Sequence, residues 1–159
     1  MCIRDRSGIA RTALYKTFRN KEHIFRALAK AVHGEALEIA RGAFASEGNF
    51  NECLTEALIG RDTHLLTVGH TGPHANEIAE LYLSLASDLA DESNAALTDL
   101  IAAMTKKAVA SGKFDVPHAY RSTKDFARLL RLALEGVKKE VKSPQEFEKL
   151  ARQIIEAMI

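Results

Sequence analysis

The chain has 159 residues, 47% hydrophobic and 27% charged, enough for one domain with a sizeable buried core, alone or with a small appendage. Two cysteines, Cys2 and Cys53, with no Cys-x-x-Cys pair, exclude a disulfide-stapled scaffold and favour a reducing compartment. The net charge of +1 names no polyanionic partner for the chain as a whole.

The charge is unevenly placed. Residues 1–30 hold eight Lys or Arg against Asp5 and Glu22, and the remainder holds fourteen basic against nineteen acidic residues. A basic end on an acidic body fits a nucleic-acid reader joined to a regulatory module. The longest uncharged run, residues 63–76, contains Gly69, Gly72 and Pro73 and is too short to span a bilayer. No secretory signal is visible at the start, so the cytoplasm is the expected compartment and no membrane partner is expected.

In chain order, the first element is a short helix within Gly8-Ile9-Ala10-Arg11-Thr12-Ala13-Leu14-Tyr15-Lys16-Thr17-Phe18-Arg19-Asn20-Lys21-Glu22. Leu14 and Phe18, four apart, share a face, which leaves Arg11, Thr12, Tyr15 and Lys16 on the others. Asn20 is placed to cap a second, much longer helix from 21 to about 45, with Ile24, Phe25, Leu28, Val32, Leu37, Ile39 and Phe44 as its apolar positions. A short cationic helix docked on a long one with a basic N-terminus suits a phosphate backbone. Its side chains reach base edges while Lys21 and helix N-terminal N–H groups hold phosphate.

These fifteen consecutive residues closely resemble the end of the DNA-binding domain in TetR/AcrR-type transcriptional regulators. That family carries a Gly–aliphatic–small turn, a recognition helix with Leu-Tyr, an aromatic at the position of Phe18, and a capped Lys-Glu opening the next helix. The resemblance implies that Arg11, Thr12 and Ala13 face base edges and that Tyr15, Lys16 and Lys21 hold phosphates. Ala10 stands where many relatives place a capping Ser or Thr, which weakens the helix start by about 1 kcal/mol. Family members also carry two further helices, about thirty residues, ahead of this motif, where the present sequence has Met1-Cys2-Ile3-Arg4-Asp5-Arg6-Ser7. Seven residues cannot form the missing half of a helix-turn-helix. Residues 1–6 are therefore read as a non-native start, 7–45 as a partial helix-turn-helix region with its linking helix, and 46–159 as a helical ligand-binding and dimerisation domain. On this reading, the chain is a truncated form, impaired in DNA binding.

The rest of the chain reads as helix, making the fold class all-α: a helix-turn-helix remnant followed by a TetR-type helical domain. A helix runs from 51 to about 68, and another from 76 to about 90 with Ile78, Leu81, Tyr82, Leu85 and Leu89 on one stripe. A turn or kink is expected at 91–94, before Leu97, Leu100, Ile101, Met104, Ala108 and Val109 lead to Gly112 as a helix C-terminal glycine. Residues 113–121 form a connector. Ser122 with Asp125 opens the next helix, and Ser143-Pro144-Gln145-Glu146 opens the last.

Those last two helices carry wide apolar stripes, each large side chain worth roughly 1.5–3 kcal/mol when buried. In regulators resembling TetR, the final helix pair forms a four-helix bundle with its mate. The implied homodimer interface is Phe126, Leu130, Ala133, Leu134, Val137, Phe147, Leu150, Ile154 and Ile155. The resemblance further implies a small-molecule effector among the central helices, here between 51 and 112, with Thr67, His70, Tyr82 and Met104 as liners. Effector binding would pivot the linking helix and so control a transcriptional repressor's hold on a double-stranded DNA operator.

Catalysis is not expected. Six histidines are present, but Gly72 and Pro73 separate His70 from His74, and no Glu-x-x-His, His-Glu-x-x-His, Gly-x-Ser-x-Gly or phosphate loop occurs. No cofactor or metal is expected. The competing reading is a helical dimerisation or ligand-sensing module that does not bind DNA.

Overall fold

A computed structural model describes residue 13, residues 16–70 and residues 75–159, the side chains of 70, 75, 76, 78, 79 and 83 excepted. Among the described residues the fold is all-helical. Its helices are α1 (Lys21–Ala45), α2 (Phe50–His70), α3 (Ala75–Leu85), α4 (Ser87–Ala110), α5 (Thr123–Glu140) and α6 (Pro144–Met158). Ala13, Lys16 and Thr17 are also helical, ahead of α1. No helix among the described residues is long and apolar enough to cross a membrane.

Side-chain caps set most helix starts. Asn20 accepts from the His23 N–H at 2.8 Å, Ser122 from Asp125 N–H at 3.1 Å, and Ser143 from Glu146 N–H at 3.2 Å. Each satisfies a donor that the first turn leaves without a helical acceptor. The start of α2 is a reciprocal box that a reading from Asn51 overlooks. Asn49 accepts from Glu52 N–H at 3.0 Å, and the Glu52 carboxylate accepts from Asn49 N–H at 3.1 Å. At the end of α4, Gly112 adopts φ +68°. Its N–H donates to Val109 C=O at 3.0 Å, and Lys113 N–H donates to Ala108 C=O at 2.9 Å. That left-handed glycine closure is the one expected after Lys106 and Lys107.

The helices close a ring: α1 packs on α2 and α4, α4 on α5, α5 on α6, and α6 returns to α2. Leu54, Leu58, Leu97, Ile101, Phe126, Leu130, Leu134, Phe147 and Ile155 are fully buried at the centre. One end of the body is aromatic. Phe44 stacks on Phe50, Phe50 and Phe126 lie tilted against Phe114, and Tyr120 meets Phe126 edge to face, with centroids 4.7–6.3 Å apart. Phe114 and Tyr120 come from the connector after α4, and Tyr120 Oη donates to Met158 C=O at 3.1 Å. The connector therefore plugs the core.

Two element expectations are corrected. The long helix α1 buries Ala29, Ala36 and Ala40, whereas Leu28 is 59% exposed and Ile39 is also exposed. Small side chains let α1 and α2 approach closely. At Gly60, an added Cβ would stand only 3.0 Å from Ile39 Cγ2. The break in the 76–110 region falls at Ala86 rather than at 91–94, which lies inside α4. Ala86 is buried, with φ −144° and ψ 13°, and its side chain provides no cap.

Candidate functional site

Two regions collect polar chemistry. The first is the start of α1. Asn20 holds the helix open at its N-terminus, and Ala13, Lys16, Thr17, Arg19, Lys21, His23 and Lys30 are all exposed around it. Phe18 meets His23 edge to face, with centroids 6.5 Å apart. A cavity of about 410 Å³ lies between this segment and α4, walled by Phe18, His23, Arg26, Lys30, Leu89 and Glu92 among others. Arg26 is not available to an outside anion. Its two terminal nitrogens grip Asp88 at 2.9 and 2.6 Å, and one also donates to Leu85 C=O. Their hydrogen bond, and then their mutual charge, hold the Asp88 carboxyl below its usual range. The forked geometry ties α1 to the α3–α4 junction with fixed orientation.

Of the DNA-contact residues expected from sequence, Ala13, Lys16 and Lys21 are on this exposed surface. Arg11, Thr12 and Tyr15 lie outside the described residues, as do residues 1–6.

The second region is inside the body. Arg61 on α2 is 1% exposed, although arginine is among the residues least often buried. Its Nη1 donates to Asp62 Oδ1 at 2.7 Å, and its Nη2 donates to Ser93 Oγ at 3.2 Å and Asn94 Oδ1 at 2.9 Å on α4. From α5, Lys138 reaches the same Asp62 oxygen at 3.3 Å and Glu135 at 2.7 Å. Arg131, also on α5, donates through Nε to Thr98 Oγ1 at 3.3 Å. Burial pushes the Glu135 carboxyl up, but Lys138, with the charges of Arg61 and Arg131, outweighs it and leaves it below the ordinary range.

At the edge of this cluster His33 on α1 hydrogen-bonds through Nε2 to the Tyr82 hydroxyl on α3. Burial lowers the His33 pKa, and the positive charges of Arg61 and Lys138 lower it further, so the ring is neutral near pH 7. Burial raises the Tyr82 hydroxyl pKa against an opposing pull from Arg61. Three helices, α1, α2 and α5, thus bring ionisable groups to one place, α4 adds the neutral Ser93, Asn94 and Thr98, and α3 joins them through Tyr82.

The expected pocket liners are not gathered together. Tyr82 belongs to the polar cluster, as just described. Met104 is half-buried on α4. Thr67 is exposed, and its hydroxyl donates to Thr63 C=O at 2.8 Å on its own helix. The His70 side chain lies outside the described residues. His64 faces Glu35 on α1 at 3.4 Å.

The expected dimer residues divide by burial. Phe126, Leu130, Leu134, Val137, Phe147 and Ile155 are buried within the single protomer, and Ala133, Leu150 and Ile154 are half-buried. The apolar stripe of α5 is covered by its own chain, because α4 and α6 both pack against it. The surface that α5 does present is its flank: Leu129, Leu132 at 41% exposure, and Gly136, beside which the space is open.

Compared with known proteins, the chain matches no family model, no curated protein and no solved structure.

Proposed function

We propose that this chain is a ligand-responsive DNA-binding regulator of the TetR/AcrR kind, a non-enzymatic repressor acting as a homodimer. The observation that carries this reading is the double attachment of α1. At the N-terminal end of this 25-residue helix Lys21 faces solvent, as do Lys16 and Arg19 in the segment just ahead of it. Along its length it is tied to the α3–α4 junction by Arg26 and to α3 itself by His33. A small molecule that displaces α3 would act on the cationic end through those ties, shifting DNA affinity by its differential affinity for the two arrangements.

Two copies would meet through the α5 flank of Leu129, Leu132, Ala133 and Gly136, where the missing glycine side chain permits close helix approach. The fifteen-residue motif from Gly8 to Glu22 supports the DNA half of the reading.

Binding of the full chain to a labelled duplex, measured from 50 to 200 mM salt, is the test. The expected result is weak binding that falls steeply with salt and drops at least about tenfold in the Lys16→Glu/Lys21→Glu double variant. Equal affinity of the double variant and the unaltered chain, at every salt concentration, refutes DNA binding by this surface and leaves a sensing module.

A further inference from the structure

The cavity beside the start of α1 holds charges that the proposed function leaves unused. It measures about 410 Å³ and opens to solvent, with Thr17, His23, Lys30 and Glu92 exposed on its wall. That volume falls at the lower end of ligand pockets, which run from about 300 to 1,000 Å³. Arg26, also on the wall, is committed to Asp88 and the Leu85 carbonyl. Lys30 on α1 and Glu92 on α4 are not committed. Among the described residues neither makes a hydrogen bond or an ion pair, and they border the same space without joining.

Phe18, Ala27 and Leu89 give the same wall an apolar part, with the Phe18 ring half-buried. The charges then select among ligands. A lone anion would meet Lys30 but also Glu92, and beyond the wall Glu22, whose charge reaches Arg26 as that of Glu92 does. A lone cation would meet Glu92 but also Lys30. A molecule carrying both charges answers both side chains, and its desolvation is offset at each end by a charge-assisted hydrogen bond.

We propose that this cleft is a binding site for an aromatic α-amino acid, its carboxylate accepting from Lys30, its ammonium donating to Glu92 and its ring packed against Phe18 and Leu89. The adjacent charges of an α-amino acid suit two side chains that stand on facing helices farther apart than an ion pair. The aromatic ring matches the one aromatic ring on the apolar part of the wall. A ligand seated there lies between α4 and the segment that follows Lys16, beside the Arg26–Asp88 clamp. Its effect on the cationic end rests on the function proposed above; the site itself does not depend on DNA binding.

The test is saturation-transfer NMR on the full chain with L-phenylalanine and L-tryptophan as probes. 2-Phenylethylamine and 3-phenylpropanoate, each keeping one of the two charges, are the matched comparisons. Expected is saturable binding of at least one amino acid with a Kd of about 1 mM or tighter, about tenfold tighter than either singly charged compound. Lys30→Met should weaken the amino acid about tenfold without weakening 2-phenylethylamine. Glu92→Gln should weaken it by a similar factor without weakening 3-phenylpropanoate. Both side chains are exposed, so neither change touches the core.

If neither amino acid binds, if both bind no tighter than the singly charged compounds, or if both variants bind them as the unaltered chain does, the proposal is wrong. DNA binding is read separately. An amino acid that binds through Lys30 and Glu92 without changing duplex affinity upholds this site and defeats the regulatory reading, while Lys16- and Lys21-dependent DNA binding with no amino-acid binding does the reverse.

Discussion

His33 projects from α1 onto Tyr82 with its ring held neutral by burial and by the two nearby cations. In the unfolded chain the same imidazole regains its ordinary value near 6.5, so the unfolded state binds the proton more readily. Its contribution to stability is present in full above pH 6.5 and is lost as pH falls below that value. Melting curves from pH 7.5 to 5 should therefore decline, and His33→Phe should flatten the decline; an unchanged slope would show that the ring titrates alike in both states. Caps such as Asn20, Ser122 and Ser143 were legible because a capping residue acts on its own helix within three positions. Arg61 was not, since nothing local announces that an arginine is buried. The available signal was the opposite-charge pair Arg61-Asp62, alone within the largely apolar stretch from Ala57 to Leu66.

At the level of elements, α2 starts through the Asn49–Glu52 exchange, both of whose bonds depend on the Asn49 side chain or backbone staying in place. Asn49→Ala should lower stability by about 1 kcal/mol, measured by urea denaturation, with the m value unchanged. The ties on α3 make a different prediction. Arg26→Ala removes the clamp on Leu85 and Asp88, and being an exposed pair it should change the midpoint little. Hydrogen exchange should nonetheless quicken through α3 and the first turn of α4 while α5 and α6 keep their protection. Uniform exchange across all helices would mean the clamp does not hold that junction. The extent of α1 was readable from its cap and length. Its buried face was not, because an alanine seam is invisible to a search for large apolar residues; their close fit depends on Gly60 in the neighbouring helix. The kink was misplaced for a similar reason: Asp91-Glu92-Ser93-Asn94 looks like turn chemistry, yet Ser93 and Asn94 face Arg61 within a continuous helix.

For the whole molecule, the all-helical architecture followed from periodicity, but what covers each stripe did not. Periodicity reports that α5 and α6 have an inward side without saying whether that side meets its own chain or another. The two cases separate experimentally. Leu130→Ala, in the protomer core, should cost about 2–5 kcal/mol in folding stability. Leu132→Glu, on the open flank, should leave the melting temperature nearly unchanged at low concentration yet convert a dimer to a monomer in sedimentation velocity. A Leu132→Glu protein that sediments like the unaltered chain would move the proposed contact elsewhere. The connector after α4 reads from the sequence as linkage alone, although Phe114, Val116 and Tyr120 recur there and pack against the core.

The break at Ala86 has a mechanical consequence. With α3 ending at Leu85, that residue's carbonyl accepts from the guanidinium of Arg26. That grip is ten residues from Ala36, the first of two fully enclosed alanines where α1 is pinned, while Lys21 lies fifteen residues from the same pin. At 1.5 Å per residue the arms are roughly 15 and 22 Å. Were α1 to swing as a rigid bar about that point, the charged tip would travel about half as far again as the handle that drives it.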